Sequence, residues 1–580
     1  MATRYLIAHA QSACAADHLK SRIERLGGMV HRHSAGNLAV YTDRHGEWLP
    51  FTGGAGGAIG YAFTKGTNSK RVRQLPTAGT NENGTKVLRS LLESHWGGYV
   101  AIVTSSASKY AWVLRDPSAS MPCYFFCQSD AVVIASDIET LKDCDLLSSE
   151  IDWPYIEHHL QSFDLRSDRT AFIGLRELLA GHILTSDASS VTVDQLWSPW
   201  DHIRAPRGRS VQEAGTEIGH VVRDCVGAWG KCFERPLLGL SGGLDSSVIA
   251  ASLTTHPGLQ AITMATREAE GDERAYASAV AGHLGFRVFE AQHSFESVDV
   301  LRPTSAHLPR PVQFAFGQSS ASWRRRIYAR ERNDAFITGI GGDNVFCSIR
   351  SASPWVDRLR IEGLSPGVFA TMSDICRLSD CTFGEALAMG LGKLTRPVAI
   401  RATADQTFLP QPEAINLAAR HPWMTVPPNA VPGKAAHINF LARIQGTIDG
   451  FSRKDQCPMI LPLLSQPLVE TCLSIPTWQW IDGGRDRVLV RRAFSPDLPP
   501  EIAWRRSKGG PSSFACEVID RNKAKLQTLL LDGILAAKGL IDVSRVRRAL
   551  DPATPVRSPE DFRLALLAET EAWLRYWHAN

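Results

Sequence analysis

Nowhere in its 580 residues does the sequence carry the run of about 18 apolar residues that a membrane-crossing helix needs. The best stretch, Leu529 to Ile541, is broken by Asp532, Gly533, Lys538 and Gly539. An excess of one charge is missing too: Lys+Arg 63 against Asp+Glu 59 leaves +4, which excludes a protein that coats nucleic acid or rests on a membrane surface. Among 12 cysteines there is no CxxC pair. The closest spacings, Cys123/Cys127 and Cys376/Cys381, have no Cys or His at zinc-finger distance, so reduced, mostly buried thiols are expected, not a disulfide frame or a structural zinc. The opening MATRYLIAHAQSA is interrupted by polar residues and does not read as a secretory signal, which makes a cytoplasmic location the expectation.

What is present is globular. A hydrophobic share of 44% with 21% charged residues, over a length beyond what one core organises, predicts at least two domains. Up to about residue 200 short alternating runs (Asn37–Thr42, Gly57–Phe63, Tyr99–Thr104, Tyr110–Leu114, Val132–Ala135) are separated by Gly, Ser and Asp turns, a layered β pattern. The polar, basic segment from Trp200 to Ser210 reads as a linker, so the boundary is placed between 1–205 and 206–580. Beyond it the period changes. Strands at Pro236–Leu240, Leu259–Ala265 and Phe286–Glu290 alternate with helices at Ser246–Thr255 and Glu273–Leu284; a helix at Ser319–Arg332 then feeds a strand at Ala335–Thr338. That alternation predicts a doubly wound parallel sheet, whose ligands bind outside the carboxyl ends of its strands.

At one such end stands Ser241-Gly242-Gly243-Leu244-Asp245-Ser246-Ser247. Glycines there let the backbone approach a phosphate, and the N–H groups of a starting helix face an anion. The loop has no Gly-Lys-Ser/Thr and no GxGxxG, so it belongs to neither the P-loop nor the dinucleotide class.

This heptapeptide resembles the pyrophosphate loop of ATP pyrophosphatases, and its surroundings resemble the asparagine synthetase family. Asp272-Glu273-Arg274-Ala275-Tyr276-Ala277 is similar to the family's DE-x-x-YA segment, and Thr338-Gly339-Ile340-Gly341-Gly342-Asp343 to its SGxGxD turn. Pro462-Leu463-Leu464 with Leu468-Val469-Glu470, and Leu498-Pro499-Pro500-Glu501-Ile502 leading to Arg506-Ser507-Lys508-Gly509, are similar to its PFLD…LVE and LPxxI…RxKxG stretches. The resemblance implies an ATP-dependent, AMP-forming ligase that activates a carboxylate as an acyl-adenylate. It implies magnesium on Asp245 and Asp343, phosphate charge held by Lys508 (with Asp343, the implied catalytic pair), and ATP lined by Leu240, Ser241, Gly242, Gly243, Leu244, Asp245, Ser246, Ser247, Met264 and Gly339.

The first half resembles the family's class II glutamine amidotransferase domain, an Ntn-like αββα fold. Arg115-Asp116-Pro117 with Met121-Pro122-Cys123-Tyr124 is similar to RDPxGxxPLYY, Ala135-Ser136-Asp137-Ile138 to ASEI, and Gly174-Leu175-Arg176-Glu177-Leu178 with Ala180-Gly181-His182 to GIxxLxPGH. In that domain the nucleophile is a cysteine exposed after Met removal. Here Ala2 follows Met1 and the first cysteine is Cys14, so a degenerate domain without glutaminase activity is expected. At Ile340 relatives carry Glu or Tyr as a base, and isoleucine transfers no proton. An N-terminal amine, roughly a tenth neutral at pH 7, needs little help.

Together with Asn344 and the following Val345-Phe346-Cys347-Ser348, these departures resemble the lasso peptide cyclases. That resemblance implies adenylation of an Asp or Glu side chain in a precursor peptide, attack by the peptide's own N-terminal amine, and a leader peptidase or leader-recognition protein as partner, with neither nucleic acid nor membrane. A β-lactam-synthetase-like or ammonia-dependent asparagine-synthetase-like ligase acting on a small molecule is the alternative. The run Trp323-Arg324-Arg325-Arg326 with Arg330 and Arg332 is read as the solvated face of a crossover helix. His158-His159, His283 and His307 are read as surface or core residues.

Overall fold

The computed structural model describes residues 3–78, 83–105, 109–203, 210–312, 317–400, 404–410, 421–448, 457–506, 509–510, 512–556 and 561–579. The expected boundary at 205/206 therefore lies outside the described residues, as do Ala2 and Lys508.

The N-terminal half stacks two antiparallel sheets. The first runs Arg176–Glu177, Tyr124–Cys127, Ala131–Ala135, Tyr5–Ala10, Leu38–Asp43, Met29–Ala35. The second runs Val191–Gln195, His182–Ser186, Ala111–Arg115, His95–Thr104, Gly56–Thr64, Trp48–Pro50, with Arg71–Val72 paired beside Gly56–Thr64. Strand Tyr5–Ala10 is buried on both faces: Tyr5 and Ile7 meet Val100, Ile102 and Val113 of the second sheet, whereas Leu6 and Ala8 pack outward. The helix Ala13–Glu24 covers that outer face with Ala15, Leu19 and Ile23, spaced one helical turn apart, and starts at Ser12, whose hydroxyl accepts the Ala15 N–H at 3.2 Å. On the far side the helix Gly84–Ser94 lays Val87, Leu88, Leu91 and Leu92 on the second sheet. The result is the αββα sandwich expected from the sequence.

The C-terminal half is built on a five-stranded parallel sheet in the order Arg287–Gln292, Gln260–Ala265, Pro236–Gly239, Ala335–Thr338, Met459–Ile460. The strand order reverses between Pro236–Gly239 and Ala335–Thr338, which pair directly. This is the switch point at which open α/β sheets bind ligands. Leu237 and Ile262 face one layer of the core and Leu238, Ala261 and Ile337 the other, so these strands read as nearly continuous apolar runs. The crossover helices are Leu244–Ser252, Arg274–Leu284 and Gly317–Glu331. A lobe of three helices, Ser353–Glu362, Pro366–Ser379 and Phe383–Thr395, closes around Trp355, Val368, Met372 and Ile375, with Gly390 leaving the space that the Trp355 ring fills.

The halves share core. Helix Val211–Gly230, opened by a Ser210–Glu213 capping box, sends Trp229 against Phe63 and Trp96 at ring-centroid distances of 5.0 and 6.4 Å. The last helix, Phe562–Ala579, returns to the N-terminal half, where Trp573 and Trp577 enclose Phe172. Glu470 accepts from Lys65 Nζ at 3.1 Å and Trp197 Nε1 at 2.9 Å. Among the described residues no helix is long and apolar enough to cross a membrane.

Candidate active site

A cleft of about 920 Å³ opens at the switch point, at the large end of what a small-ligand site needs. Its nucleotide-sized end is made of backbone. Gly242 is left-handed (φ +67), and a Cβ on it would run into Tyr276. Gly243 precedes the helix Leu244–Ser252, which has no side-chain cap, so its first N–H groups face the cleft as an anion cradle. The serines fold the loop: Ser246 Oγ accepts the Ser241 N–H at 3.2 Å, and Ser247 Oγ donates to the Gly243 carbonyl at 2.8 Å.

The second turn, Gly339–Asp343, lies against the first. A Cβ on Gly339 would come within 2.8 Å of the Ser246 nitrogen, and one on Gly342 would strike the Asp245 carboxylate. The glycines thus allow Asp245 and Asp343 to meet, although they arise on different strand ends. One guanidinium nitrogen of Arg487 touches both carboxylates, at 3.1 Å from Asp245 Oδ1 and in closer contact with Asp343 Oδ1. Arg487 Nε also pairs with Asp486 at 3.2 Å, and Asp486 accepts from Ser348 Oγ at 2.6 Å. Burial works against the Arg487 charge, but Asp245, Asp343 and Asp486 outweigh it and raise its pKa. Arg487 sits at φ 53, a left-handed conformation that costs an ordinary residue roughly 1–2 kcal/mol and that the three acids over-determine.

Paired hard oxygens that converge on one cation position are donors that suit magnesium. Beside them the uncapped helix start after Gly243 leaves N–H groups that suit an anion. Asp245 and Asp343 would hold the metal, which when bound would neutralise negative charge on phosphate groups.

Of the residues expected at the site, Leu240, Ser241, Gly243, Leu244, Asp245, Ser246, Met264, Gly339 and Asp343 line the cleft, together with Ile340. Ser247 does not. It is wholly buried beneath the loop, which it positions through Gly243. Gly242 serves as close backbone contact with Tyr276, and Lys508 lies outside the described residues. The reading of Arg324 as solvated is corrected: it is buried, 4.9 Å over the Phe336 ring, and lines the cleft, whereas Arg325 and Arg326 are exposed.

Sequence reasoning missed Arg487, Asp486 and Arg505. The Arg505 guanidinium stacks on Tyr276 at 3.6 Å and pairs with Glu273 at 2.9 Å; Glu273 also accepts the Gly509 N–H at 3.0 Å. The DE-x-x-YA segment thus has a physical role here: Glu273 and Tyr276 tie Arg505 and Gly509 to the turn at Gly242. His293, also lining the cleft, is pushed down to about 4 by burial and is neutral at pH 7.

No curated protein sequence matches the chain. The solved structures that resemble it include two enzymes. One is a glutamine phosphoribosylpyrophosphate amidotransferase from B. subtilis complexed with ADP and GMP, with 10% identity over 50% of this chain and 65% of that one, at a TM-score of 0.21. The other is an allosteric regulatory enzyme of purine biosynthesis, with 12% identity over 57% of this chain and 78% of that one, also at 0.21. The chain thus spans just under two thirds of the first. The asparagine synthase family model matches residues 220–578, more than half the sequence and all five strands of the parallel sheet that carries the cleft, and the chain belongs to that family of ATP-using enzymes.

Proposed function

We propose that the chain is an ATP-dependent carbon–nitrogen ligase that closes a macrolactam in a precursor peptide, as in lasso peptide biosynthesis. An Asp or Glu side-chain carboxylate attacks the α-phosphorus of ATP and expels pyrophosphate. The peptide's N-terminal amine then attacks the acyl-adenylate, and AMP leaves as the isopeptide bond forms. Asp245 and Asp343 would carry the magnesium of the first step, and the Gly243 cradle would hold the departing phosphates.

The observation that carries this reading is Ile340. It lines the cleft between Gly339 and Gly341, three residues from Asp343, and packs on the core. A wall of this kind offers no proton acceptor at the position where the sequence resemblance places a base. It therefore suits an amine that is already partly neutral, and an N-terminal amine near pKa 7.7–8.0 meets that condition where a lysine near 10.4 does not. Holding acid and amine of one peptide in one cleft also turns an intermolecular step into an intramolecular one, worth effective molarities of order 10⁵ M or more. A precursor peptide and a leader-handling protein in the cytoplasm are the partners this reading requires.

The test is to incubate the chain with ATP, magnesium and synthetic peptides that carry a free N-terminus and an internal Asp or Glu. A product lighter by one water, with one AMP and one pyrophosphate per ring, is expected, and N-acetylation of the peptide must abolish the ring. Turnover of free ammonia or of a small amino acid, with no peptide product, would overturn the proposal.

A further inference from the structure

The helix Pro366–Ser379 ends in a stop whose closing backbone hydrogen bond joins two cysteines. Asp380 adopts a left-handed conformation (φ 49), and the carbonyl of Cys376 accepts two backbone N–H groups, from Asp380 and, at 3.2 Å, from Cys381. The second bond closes the six-residue ring of a Schellman-type stop, a motif often accompanied by contact between the side chains at its first and last positions. Here those positions are Cys376 and Cys381. Burial first, and then the neighbouring Cys381, pushes the Cys376 thiol up. Both thiols are free and partly exposed, and both border the apolar core of the three-helix lobe. Between them, Arg377, Leu378 and Asp380 line the cleft.

We propose that Cys376 and Cys381 form a reversible disulfide by exchange with a small-molecule disulfide of the glutathione class, and that this bond fixes the turn that presents Arg377, Leu378 and Asp380 to the cleft. One thiolate attacks the glutathione disulfide, forming a mixed disulfide and releasing one glutathione thiolate. The second protein thiolate attacks the protein sulfur of that mixed disulfide and releases the other. The protein loses two thiol hydrogens and is oxidised by two electrons; one glutathione disulfide is reduced to two thiols. The helix stop supplies the approach of the two sulfurs, so closure requires no unwinding of Pro366–Ser379. The site is independent of whatever ligation the cleft performs.

The full chain, treated with glutathione disulfide, alkylated and digested with trypsin, reports the bond directly. Cleavage after Arg377 separates the cysteines, so the expected product is a pair of peptides joined through Cys376 and Cys381, lighter by two hydrogens than their sum and parted by dithiothreitol. Cys376→Ser and Cys381→Ser should each give a glutathione adduct on the remaining cysteine instead. The exposed Cys14 and Cys127 serve as markers that oxidation has proceeded. If those two react while Cys376 and Cys381 remain alkylated or carry separate glutathiones, the bond is refuted. Amide hydrogen exchange over Leu378–Thr382 should slow on oxidation of the wild type and stay unchanged in Cys376→Ser. Equal exchange in oxidised and reduced wild type would refute the locking of the turn.

Discussion

Two of the molecule's charge clusters, one in each half, are inverses of each other. In the N-terminal half one acid is ringed by arginines: Glu177 accepts from Arg115 at 2.7 Å, Arg166 at 3.0 Å and Arg310 at 2.9 Å. In the cleft one arginine is ringed by acids, Arg487 by Asp245, Asp343 and Asp486. The first cluster is sealed. Glu177 is 1% exposed, and Arg115 spends its remaining donors on the carbonyls of Met121, Ala119 and Leu178. The second opens on the cavity, with the Asp343 side chain 32% exposed, and sets three carboxylates against Arg487 and Arg491. Sealed charges whose partners are fixed can only hold the chain together, here by joining Arg310 of the C-terminal half to the N-terminal sheet. Open charges with carboxylate in excess can exchange their cation. Ion-pair chemistry is common to both clusters, and access to the cleft separates structure from function.

The largest effect expected from this contrast is in the sealed cluster. Glu177→Gln leaves three buried guanidiniums without their acid, a loss of about 3–5 kcal/mol in urea unfolding. A variant within 1 kcal/mol of wild type would show that the cluster is dispensable. Asp343→Asn should do the opposite. Pyrophosphate formation from ATP should fall by about 10²–10³, while the thermal midpoint holds, because the turn is shaped by Gly339, Gly341 and Gly342. Near-normal turnover in Asp343→Asn would remove it from the reaction.

The two clusters also differ in how legible they were. The layered β domain and the parallel sheet follow from period, while the αββα order came from the family resemblance: strands such as Gly56–Thr64 and Ala335–Thr338 fall within a residue or two of their expected bounds because both the alternation and the turns are local signals. Asp245 and Asp343 were readable through the two family motifs they resemble, each a glycine turn at a strand end. Arg487 was not, since its meaning comes from partners 242 and 144 residues away in the chain, and a Gly-Gly-Arg-Asp-Arg turn reads as surface. Arg324 failed for a related reason: charge patterning assigns a helix face to water, but the Phe336 ring and the cleft wall cover this one. Ser247 failed by one helical step, because the helix begins at Leu244 and turns its hydroxyl inward.

If the open cluster exchanges its cation, Arg487→Ala should make the protein hungrier for one. With the guanidinium gone, Asp245 and Asp343 lose the cation they share, and stability without magnesium should drop by about 1–3 kcal/mol. Added magnesium should then raise the thermal midpoint more in Arg487→Ala than in wild type. Equal magnesium shifts in the two would mean that Arg487 and the metal do not share the carboxylates.

The smallest effect tests how well the first cluster is sealed. His159 is buried near Arg310 and Arg563, with its pKa pushed down to about 3, first by burial and then by those charges. Above the unfolded value near 6.5 the ring is neutral in both states and contributes no pH dependence. As pH falls below 6.5 only the unfolded chain takes up the proton, so stability declines, by about 1.4 kcal/mol at pH 5.5, and continues to decline until the folded ring titrates near 3. His159→Phe removes that proton uptake, so its loss of stability between pH 7.5 and 5.5 should be smaller than that of wild type by about 1.4 kcal/mol in urea unfolding. Identical slopes would mean that water reaches His159, and a wet His159 would leave the Glu177 cluster no more sealed than the carboxylates of the cleft.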